Sequence, residues 1–469
     1  MLNFMNTLIQ ITDNINGFIY SNILFWVLIA VGIYFTIRTG FVQIRLFPEA
    51  IKVLSEKSHE GGISSFQALM IATASRVGTG NIAGVATAIV MGGPGAVFWM
   101  WLMAIIGAAS AFIESTLAQI YKEPDGAIYK GGPAYYIEKA LNARWLGVIF
   151  AVFLILTFAF GFNGLQAYNI ASAFEHYAGD SYKIVALILG VILAAVSAFW
   201  FFGGAAHKIS TISSILVPIM AAVYLLVGFV IFFSNIGKVP AIFTQIFEQA
   251  FDYEQISAGF AGSCVVWGVK RGLFSNEAGM GSAPNAAAAA DVSHPVKQGL
   301  VQVVSVFIDT LIICTTTIFI ILCTGQYEVG GKLNGIPLVQ QSVSTVFGEV
   351  GIGILTASVA LFAFTSLIGN YFYAEFNFKF ITKNKTALMI FRCFAVFAVF
   401  IGANSSLKLA WNTADILMGF MALINCVAIL LLGQYAIRAL HDYTVQKKLG
   451  HNPIFKAESI GLDNTDVWK

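Results

Sequence analysis

A cluster of polar and glycine residues interrupts a long apolar stretch early in the chain. Arg76, Gly78, Thr79, Gly80 and Asn81 lie between the apolar runs FQALMIAT and VATAIVMGG. Glycine allows the backbone to leave the helical conformation, and a helix break frees N–H groups on one side and C=O groups on the other. Free N–H groups at a helix N-terminus bind carboxylates, and carbonyl oxygens bind hard cations. The spacing predicts a site for both.

A second apolar stretch carries a similar interruption, WGVKRGLFSNEAGMGSAP, with Gly272 and Gly279 as the glycines that we expect at its break. Gly78 and Gly80 have that role in the first stretch. The second segment comes five predicted helices after the first, which suits two halves of five helices that each begin with a broken helix. Glycine-interrupted hydrophobic segments in corresponding positions of two halves indicate the binding site of a secondary transporter.

Two other interpretations of GTGNIAG compete with this one. It differs from a dinucleotide-binding loop because its third glycine comes one residue late and a helix-like segment, not a strand, precedes it. Gly80 and Gly84 form a GxxxG pair, which is typical of close helix packing in membranes. Packing alone does not explain Arg76 and Asn81, because polar groups are costly inside a bilayer.

The composition requires lipid as the surrounding medium. The chain has 469 residues, of which 58% are hydrophobic and 11% charged, against about 25% charged in soluble domains. The net charge of +2 gives no reason to expect a nucleic-acid partner. The N-terminus lacks the pattern of a cleaved signal peptide. The five cysteines and six histidines lack metal-ligand spacing, and we expect no disulfide, no cofactor and no enzymatic activity.

We predict an all-α integral membrane protein with eleven spanning helices, since about 20 apolar residues cross a bilayer. The predicted spans are approximately 18–37, 64–91, 94–121, 145–173, 183–202, 208–235, 256–290, 298–324, 350–378, 387–403 and 408–437. Residues 1–440 then form a single transporter domain, with one repeat at about 64–235 and a second at about 256–437. Residues 441–469 form a polar, exposed cytoplasmic tail.

The distribution of Lys and Arg predicts the orientation. With the N-terminus outside, the predicted cytoplasmic segments hold 18 of the 26 basic residues and the outside segments hold 4. Cytoplasmic loops of membrane proteins are enriched in Lys and Arg. This bias favours eleven spans in the cell membrane, with the C-terminus in the cytoplasm.

Other polar residues inside the predicted spans have open roles. Asn163 and Gln166 share one helix face and could join helices or contact a substrate. The hydroxyls of Thr365 and Ser366 could bind Na⁺ or bond back to their own helix. The acids are candidate ion-pair partners, or in one case a proton site, for the basic residues within spans: Glu114, Asp309, Glu375 and Asp415 for Arg76, Lys270, Arg271 and Arg392.

Three blocks of the sequence resemble the alanine or glycine:cation symporter family of bacteria and archaea. They are GGPGAVFWMWLMAIIG, SRVGTGNIAGVATAI and GLFSNEAGMGSAP, and the resemblance covers essentially the whole chain. It implies the leucine-transporter-type fold, with ten core helices in inverted repeats, here helices two to eleven, and one extra N-terminal helix. It also implies Na⁺-coupled uptake of small neutral amino acids, such as alanine and glycine, by alternating access.

The resemblance implies roles for particular residues. The amides of Thr79 and Gly80 would bind the substrate carboxylate, with Asn81 supporting the turn. Gln166 and the backbone near Phe274 would face the amino group and side chain. Sodium would be bound by the carbonyls of Ala74 and Val77 and by the hydroxyls of Thr365 and Ser366.

Asn370 departs from the family pattern, which usually has tryptophan there. The smaller residue leaves more room and adds hydrogen-bonding capacity, so a larger polar substrate such as glutamine is an alternative to alanine and glycine. Coupling to protons, and a passive channel or an amino-acid sensor, are further alternatives. The oligomeric state stays open.

Overall fold

The computed structural model of the protein describes residues 2–58, 62–126, 128–203, 206–252, 256, 259–463 and 465–468. Within these residues, nine helices are long and apolar enough to cross a membrane. Nine of the eleven predicted spans correspond to these helices, some of which extend beyond the predicted bounds. The remaining two predicted spans, 64–91 and 256–290, are each interrupted in the middle.

The N-terminal region forms a long helix with a π-helical turn at Tyr20–Leu24. The apolar part runs over Thr7–Arg38 and is therefore longer than the predicted span 18–37. The helices of this region are α1 (Leu2–Ile19), α2 (Phe25–Arg38), α3 (Val42–Arg45) and α4 (Phe47–Leu54).

The first broken helix begins at a capping box. The Ser64 hydroxyl accepts a hydrogen bond from the N–H of Gln67, whose side chain accepts one from the N–H of Ser64, so both free donors are satisfied. The helix is regular to Arg76 and resumes at Gly80. Its parts are α5 (Ser65–Arg76), a π-helical turn (Gly80–Gly84) and α6 (Val85–Gly92).

The rest of the first half contains four long apolar helices and a small hairpin. The hairpin pairs Glu123 with Lys130 in antiparallel register. In chain order the elements are α7 (Ala96–Ile120), β1 (Glu123–Asp125), β2 (Ile128–Lys130), α8 (Pro133–Leu141), α9 (Arg144–Ile155), a π-helical segment (Leu156–Phe162), α10 (Asn163–Ala173), α11 (Glu175–Ala178), α12 (Tyr182–Gly203) and α13 (Ala206–Ser234).

The second broken helix follows the amphipathic helix α14 (Val239–Ala250). It consists of α15 (Cys264–Asn276) and α16 (Pro284–Ala289). Between them Glu277, Gly279 and Gly281 have positive φ, which ends the helix. Pro284 restarts it at the first helical position, where its missing N–H costs nothing.

Gly272, which the sequence places at this break, lies inside α15 instead. A Cβ there would approach Met103 Cβ at 3.2 Å and Met100 Cα at 3.4 Å. The glycine therefore allows close packing of α15 against α7, and the break falls five residues later. Gly279, with φ 79°, lies between the two helices.

The remaining helices complete the bundle. The longest contains a non-helical residue, Gly348 (φ 59°), so it consists of two helices joined at a kink. Asn334, Asn384 and Ser406 cap the last three helices. The elements are α17 (Pro295–Val306), a π-helical segment (Phe307–Cys314), α18 (Thr315–Thr324), α19 (Gly335–Ile381), α20 (Lys385–Ala403) and α21 (Leu407–Lys448).

Helix α7 supports the end of the second broken helix. The Gln119 side chain donates to the carbonyls of Ala287 and Ala290, and Lys122 Nζ donates to the Ala290 carbonyl at 3.0 Å. These carbonyls have no helical partners at a C-terminus. Ile63, just before the N-cap of α5, is joined to the segment that follows α16, because the N–H of Asp291 donates to the Ile63 carbonyl at 2.8 Å.

The segment after α21 is not the exposed tail that its polarity predicts. Phe455, Ile460, Leu462 and Trp468 are buried. The indole N–H of Trp468 donates to the Gln119 carbonyl at 2.7 Å. The segment therefore folds back over the ends of α7 and α16, because its few apolar residues are spaced to cover them.

Candidate functional site

The first helix break leaves two backbone carbonyls, those expected to bind a cation, without hydrogen-bond donors. The N–H of Val77 still bonds to the Thr73 carbonyl, but the N–H of Gly78 turns to the Arg76 carbonyl at 2.9 Å and to Asn81 Oδ1 at 3.1 Å. No N–H or O–H group of the described residues bonds to the carbonyls of Ala74 and Val77. Both residues are buried, and buried carbonyls without donors are suited to a cation.

Ser366 lies against this break, whereas Thr365 faces away from it. A Cβ on Gly78 would overlap Ser366 Oγ, and that hydroxyl is buried with no hydrogen-bond partner among the described residues. The Thr365 hydroxyl donates to the Phe362 carbonyl of its own helix at 3.0 Å and lies 3.6 Å from Met220 Sδ. The structure thus brings Ala74, Val77 and Ser366 together, with Thr365 bonded to its own helix.

Gln166 meets the break on the side expected to bind substrate. Its Oε1 accepts from the N–H of Thr79 at 3.1 Å and from the Thr79 hydroxyl at 2.7 Å. Asn169 Nδ2 donates to the same hydroxyl at 2.6 Å. In this arrangement Gln166 occupies the Thr79 amide that the sequence assigns to a carboxylate. The Gly80 amide bonds to no acceptor among the described residues.

Asn81 links the two broken helices to a buried carboxylate, Asp309. Its Nδ2 donates to Asp309 Oδ1 at 2.7 Å, while its carbonyl accepts from the Thr317 hydroxyl at 2.7 Å. Asp309 also accepts from the hydroxyl of Ser275 near the end of α15. Asn81 therefore bonds within the turn and to Asp309, which holds this turn rather than a basic side chain.

Phe274 closes the break on the side of α6. A Cβ on Gly80 would overlap its ring, so the glycine at 80 is what allows the ring to approach the backbone. The ring centroid of Phe274 lies 4.7 Å from that of Phe162 and 4.9 Å from that of Trp411. These three rings form the apolar wall that an aliphatic side chain would contact.

Asn370 joins three helices rather than standing alone in a cavity. Its Oδ1 accepts from the Ser75 hydroxyl at 2.7 Å, and its Nδ2 donates to Asn163 Oδ1 at 3.0 Å. The adjacent Gly369 packs on the backbone of Ser75, where a Cβ would come within 2.9 Å. The asparagine thus meets α5, the first part of the broken helix, just before its break.

The second break is held by Glu114 of α7. Its carboxylate accepts from the N–H groups of Gly279 and Gly281 at 3.3 and 3.1 Å. Asn425 Nδ2 donates to Glu114 at 2.7 Å and to the Gly279 carbonyl at 2.9 Å. Because these amides are buried, they need such partners.

The ion pairs only partly follow the predicted set. Asp415 pairs with both Lys270 and Arg271, and Glu375 pairs with Arg392. Arg76 has a different neighbour, since its Nε lies 4.0 Å from Glu277 Oε2, and its nitrogens have no hydrogen-bond partner among the described residues. Glu277 adjoins the asparagine at the end of α15, and its place in the SNEAG block was the available signal.

Four ionisable side chains are buried around the two breaks. They are Arg76, Glu114, Glu277 and Asp309. Ionisable groups at membrane depth generally have a function.

Comparison with protein-family models finds a match to the sodium:alanine symporter family over residues 5–457. The probable sodium/glutamine symporter GlnT of Bacillus subtilis is 46% identical over 97% of this chain and 94% of its own length. The amino-acid carrier protein AlsT of the same organism is 45% identical over 100% of this chain and 99% of its own.

A solved structure shares the fold. The crystal structure of MhsT in complex with L-phenylalanine matches with a TM-score of 0.61, covering 82% of this chain and 96% of MhsT. The sequence identity is 12%, so the likeness concerns the arrangement of helices alone. The match supports the leucine-transporter-type architecture.

Proposed function

The chain belongs to the sodium:alanine symporter family, and we propose that it carries a small neutral amino acid, alanine or glycine, into the cell together with Na⁺. Sodium-coupled amino-acid symport is the activity for which this family is named. AlsT, at 45% identity, is named an amino-acid carrier protein, and GlnT, at 46%, a probable sodium/glutamine symporter. The substrate and the residues that bind it are the part proposed here.

The observation that carries the proposal is the first helix break. Buried carbonyls of Ala74 and Val77 without donors lie beside the buried, unpartnered hydroxyl of Ser366. We assign these groups to Na⁺, with Thr365 joining after rotation of its side chain. The amides of Thr79 and Gly80 would bind the substrate carboxylate.

Substrate binding then requires a small rearrangement. The carboxylate would displace Gln166 from the Thr79 amide, and Gln166 would be free to meet the substrate amino group. Asn81 keeps the turn in place through Asp309, and Phe274 contacts the substrate side chain. Asn370 stabilises the first half-helix through Ser75 and lies one helical turn beyond Ser366.

The proposed topology has eleven crossings. The nine apolar helices and the two broken helices give this number, with repeats at about 64–235 and 256–437 within a single domain at 1–440. The N-terminus lies outside and the C-terminus in the cytoplasm of the cell that bears the protein, as the distribution of Lys and Arg favours. Alternating access then opens the breaks to each side in turn.

Glutamine is the second candidate substrate. Asn370 stands where tryptophan is usual in the family, and GlnT, at 46% identity, is named a probable sodium/glutamine symporter. Both observations favour a substrate with a polar side chain.

Uptake into proteoliposomes tests the proposal. Labelled alanine, glycine and glutamine are each offered with an inward Na⁺ gradient, with K⁺ in place of Na⁺, and with an inward proton gradient alone. We expect accumulation above the external concentration only with Na⁺. Accumulation driven by the proton gradient alone would show that the coupling ion is H⁺ and not Na⁺. Equilibration without accumulation would indicate a channel.

A further inference from the structure

We propose that the N-terminal helix α1 is a working part of the cover over the substrate site, with Asn16 and Tyr20 as positioning residues that hold Asp415. The proposal rests on the proposed function, because it concerns how the site between the two breaks is closed on the side of α6 and α15.

The cover is a continuous stack above the first break. Phe274 lies on Gly80, and Trp411 lies on Phe274 with ring centroids 4.9 Å apart. The guanidinium of Arg271 lies 4.1 Å from the centroid of the Trp411 ring and is bonded to Asp415. A substrate bound at Gly80 leaves on this side only if the stack separates, so the position of Asp415 sets how firmly the cover is closed.

Asp415 pairs with two basic residues. Lys270 Nζ lies 2.9 Å from its Oδ2, and Arg271 bonds to the same oxygen. Asp415 and both bases are buried. A buried ion pair is stable only with accurate geometry and further hydrogen bonds, so a group that fixes the position of Asp415 also fixes both bases.

Helix α1 supplies further hydrogen bonds to Asp415 from a single face. Asn16 Nδ2 donates to Asp415 Oδ2 at 3.4 Å, and the Tyr20 hydroxyl donates to the Asp415 carbonyl at 3.1 Å. The Tyr20 ring also faces Lys270, whose Nζ lies 5.1 Å from its centroid. Such a contact between a cation and a ring is attractive.

The same face of α1 also contacts the turn of α21 that precedes Asp415. Asn412 Nδ2 donates to Asp13 Oδ1 at 2.7 Å and to Thr12 Oγ1 at 3.2 Å, and its Oδ1 accepts from Asn16 at 3.3 Å. Thr12, Asn16 and Tyr20 are spaced by four residues, so they share this face.

The polar contacts between the N-terminal helix and α21, which we call the polar seam, are more numerous than the packing of two helices requires. Lipid-embedded helices associate through close packing of small residues, and polar groups at membrane depth generally have a function. The contacts of α1 converge on Asp415 and Lys270, which belong to the cover. Tyr20 also begins the π-helical turn Tyr20–Leu24, a feature frequent at functional sites.

The test compares Asn16→Ala and Tyr20→Phe with Asn22→Ala in the full-length purified protein. Asn22 is on the same helix, is exposed, and bonds to the Phe18 carbonyl of its own helix. Labelled alanine, or labelled glutamine if the uptake assay selects it, is bound in NaCl, and its release is followed after dilution into unlabelled substrate. We expect release about five-fold faster in each seam variant, the factor corresponding to one lost hydrogen bond, and no change for Asn22→Ala.

A second readout needs no substrate. Cys314 is buried beside Asn81 and Ser275, and its modification by a small water-soluble thiol reagent, located by mass spectrometry, reports access to the site. Faster modification in the seam variants than in Asn22→Ala supports the proposal. Unchanged modification and unchanged release in folded variants would overturn it. A wild-type protein that binds none of the three amino acids would instead contradict the proposed function, while the thiol measurement still decides the role of α1.

A variant cycle separates positioning from general weakening. In an Asp415→Asn background the carboxylate that Asn16 holds is gone, so Asn16→Ala should then add less than a two-fold change in Cys314 modification. An effect of Asn16→Ala on Cys314 modification as large as in the wild-type background would show that Asn16 acts independently of Asp415 and would contradict the proposal.

Discussion

The carboxylate of Glu114 accepts a hydrogen bond from the N–H of Gly281 at a distance of 3.1 Å. This contact joins the middle of α7 to the break between α15 and α16. Hydrogen bonds to charged groups contribute about 1.5–3 kcal/mol each, so the contact is a principal reason why the second helix keeps its broken form.

We therefore expect Glu114→Gln to lower both the transport rate and the thermal stability. The amide accepts only at its oxygen, while its NH₂ group would face the donor N–H of Gly279 or Gly281. Initial uptake rates and the melting temperature of the purified protein measure the effect. Glu175→Gln, in the short helix α11, is the control; an equal loss in both variants would show that Glu114 has no special role.

Gly80→Ala should abolish substrate binding while the protein still folds. The new Cβ would overlap the Phe274 ring, and overpacking of this kind costs about 1–3 kcal/mol. Equilibrium binding of labelled alanine and glutamine is the measurement. Gly237→Ala is the matched control, since nothing lies within 4 Å of a Cβ at that position. Unaltered binding by Gly80→Ala would exclude the first break as the site.

Ser366→Ala should weaken the dependence of uptake on Na⁺ more than Thr365→Val does. The Ser366 hydroxyl has no partner in the described structure, whereas the Thr365 hydroxyl bonds to its own helix. The Na⁺ concentration for half-maximal uptake should rise by about ten-fold in Ser366→Ala, the effect of losing about 1.4 kcal/mol. The reverse order of the two variants would place Thr365, not Ser366, nearer the ion.

Asn370→Trp should reduce glutamine uptake more than alanine uptake. The larger ring would occupy space beside Ser75 and Asn163 and would break two hydrogen bonds. Asn370→Ala removes the same bonds without filling the space, so it separates the two effects. The ratio of the two uptake rates is the readout; a ratio unchanged by tryptophan would show that this residue does not limit pocket size.

Trp468→Ala should destabilise the protein by about 3–5 kcal/mol, the usual cost of removing a buried tryptophan side chain. The ring is 8% exposed, lies 4.7 Å from Lys122 Nζ and bonds to the Gln119 carbonyl. Trp145→Ala, at a position 67% exposed, is the control. Thermal unfolding followed by loss of monodisperse protein compares them, and equal melting temperatures would contradict the packing described for Trp468.

The family could be predicted because its signal lies in local sequence blocks, and the same holds for the glycines of the first break. The match over residues 5–457 confirms the family resemblance, and Gly78 and Gly80 lie where the helix stops and resumes. The second break was predicted at the right segment but with one wrong glycine. Gly272 serves close packing against Met100 and Met103, and a glycine that permits unwinding has the same composition signal as one that permits contact.

The partners of the site residues could not be obtained from sequence. The contact between Asn81 and Asp309 joins residues 228 positions apart, and the contact between Glu114 and Gly281 joins residues 167 apart. Such pairs depend on the packing of whole helices. The role of α1 was hidden for the same reason, since Asn16 is unremarkable until Asp415 is placed beside it.

The support of α16 by α7 has a mechanical consequence. Glu114 bonds to the break just before α16, and Gln119 and Lys122 bond to the carbonyl just after it. These hydrogen bonds hold α16 against α7. Helix α5 is tied to the end of α16 by the hydrogen bond between Asp291 and Ile63. A tilt of α5 away from α7 and α16 is therefore expected to break that main-chain hydrogen bond first.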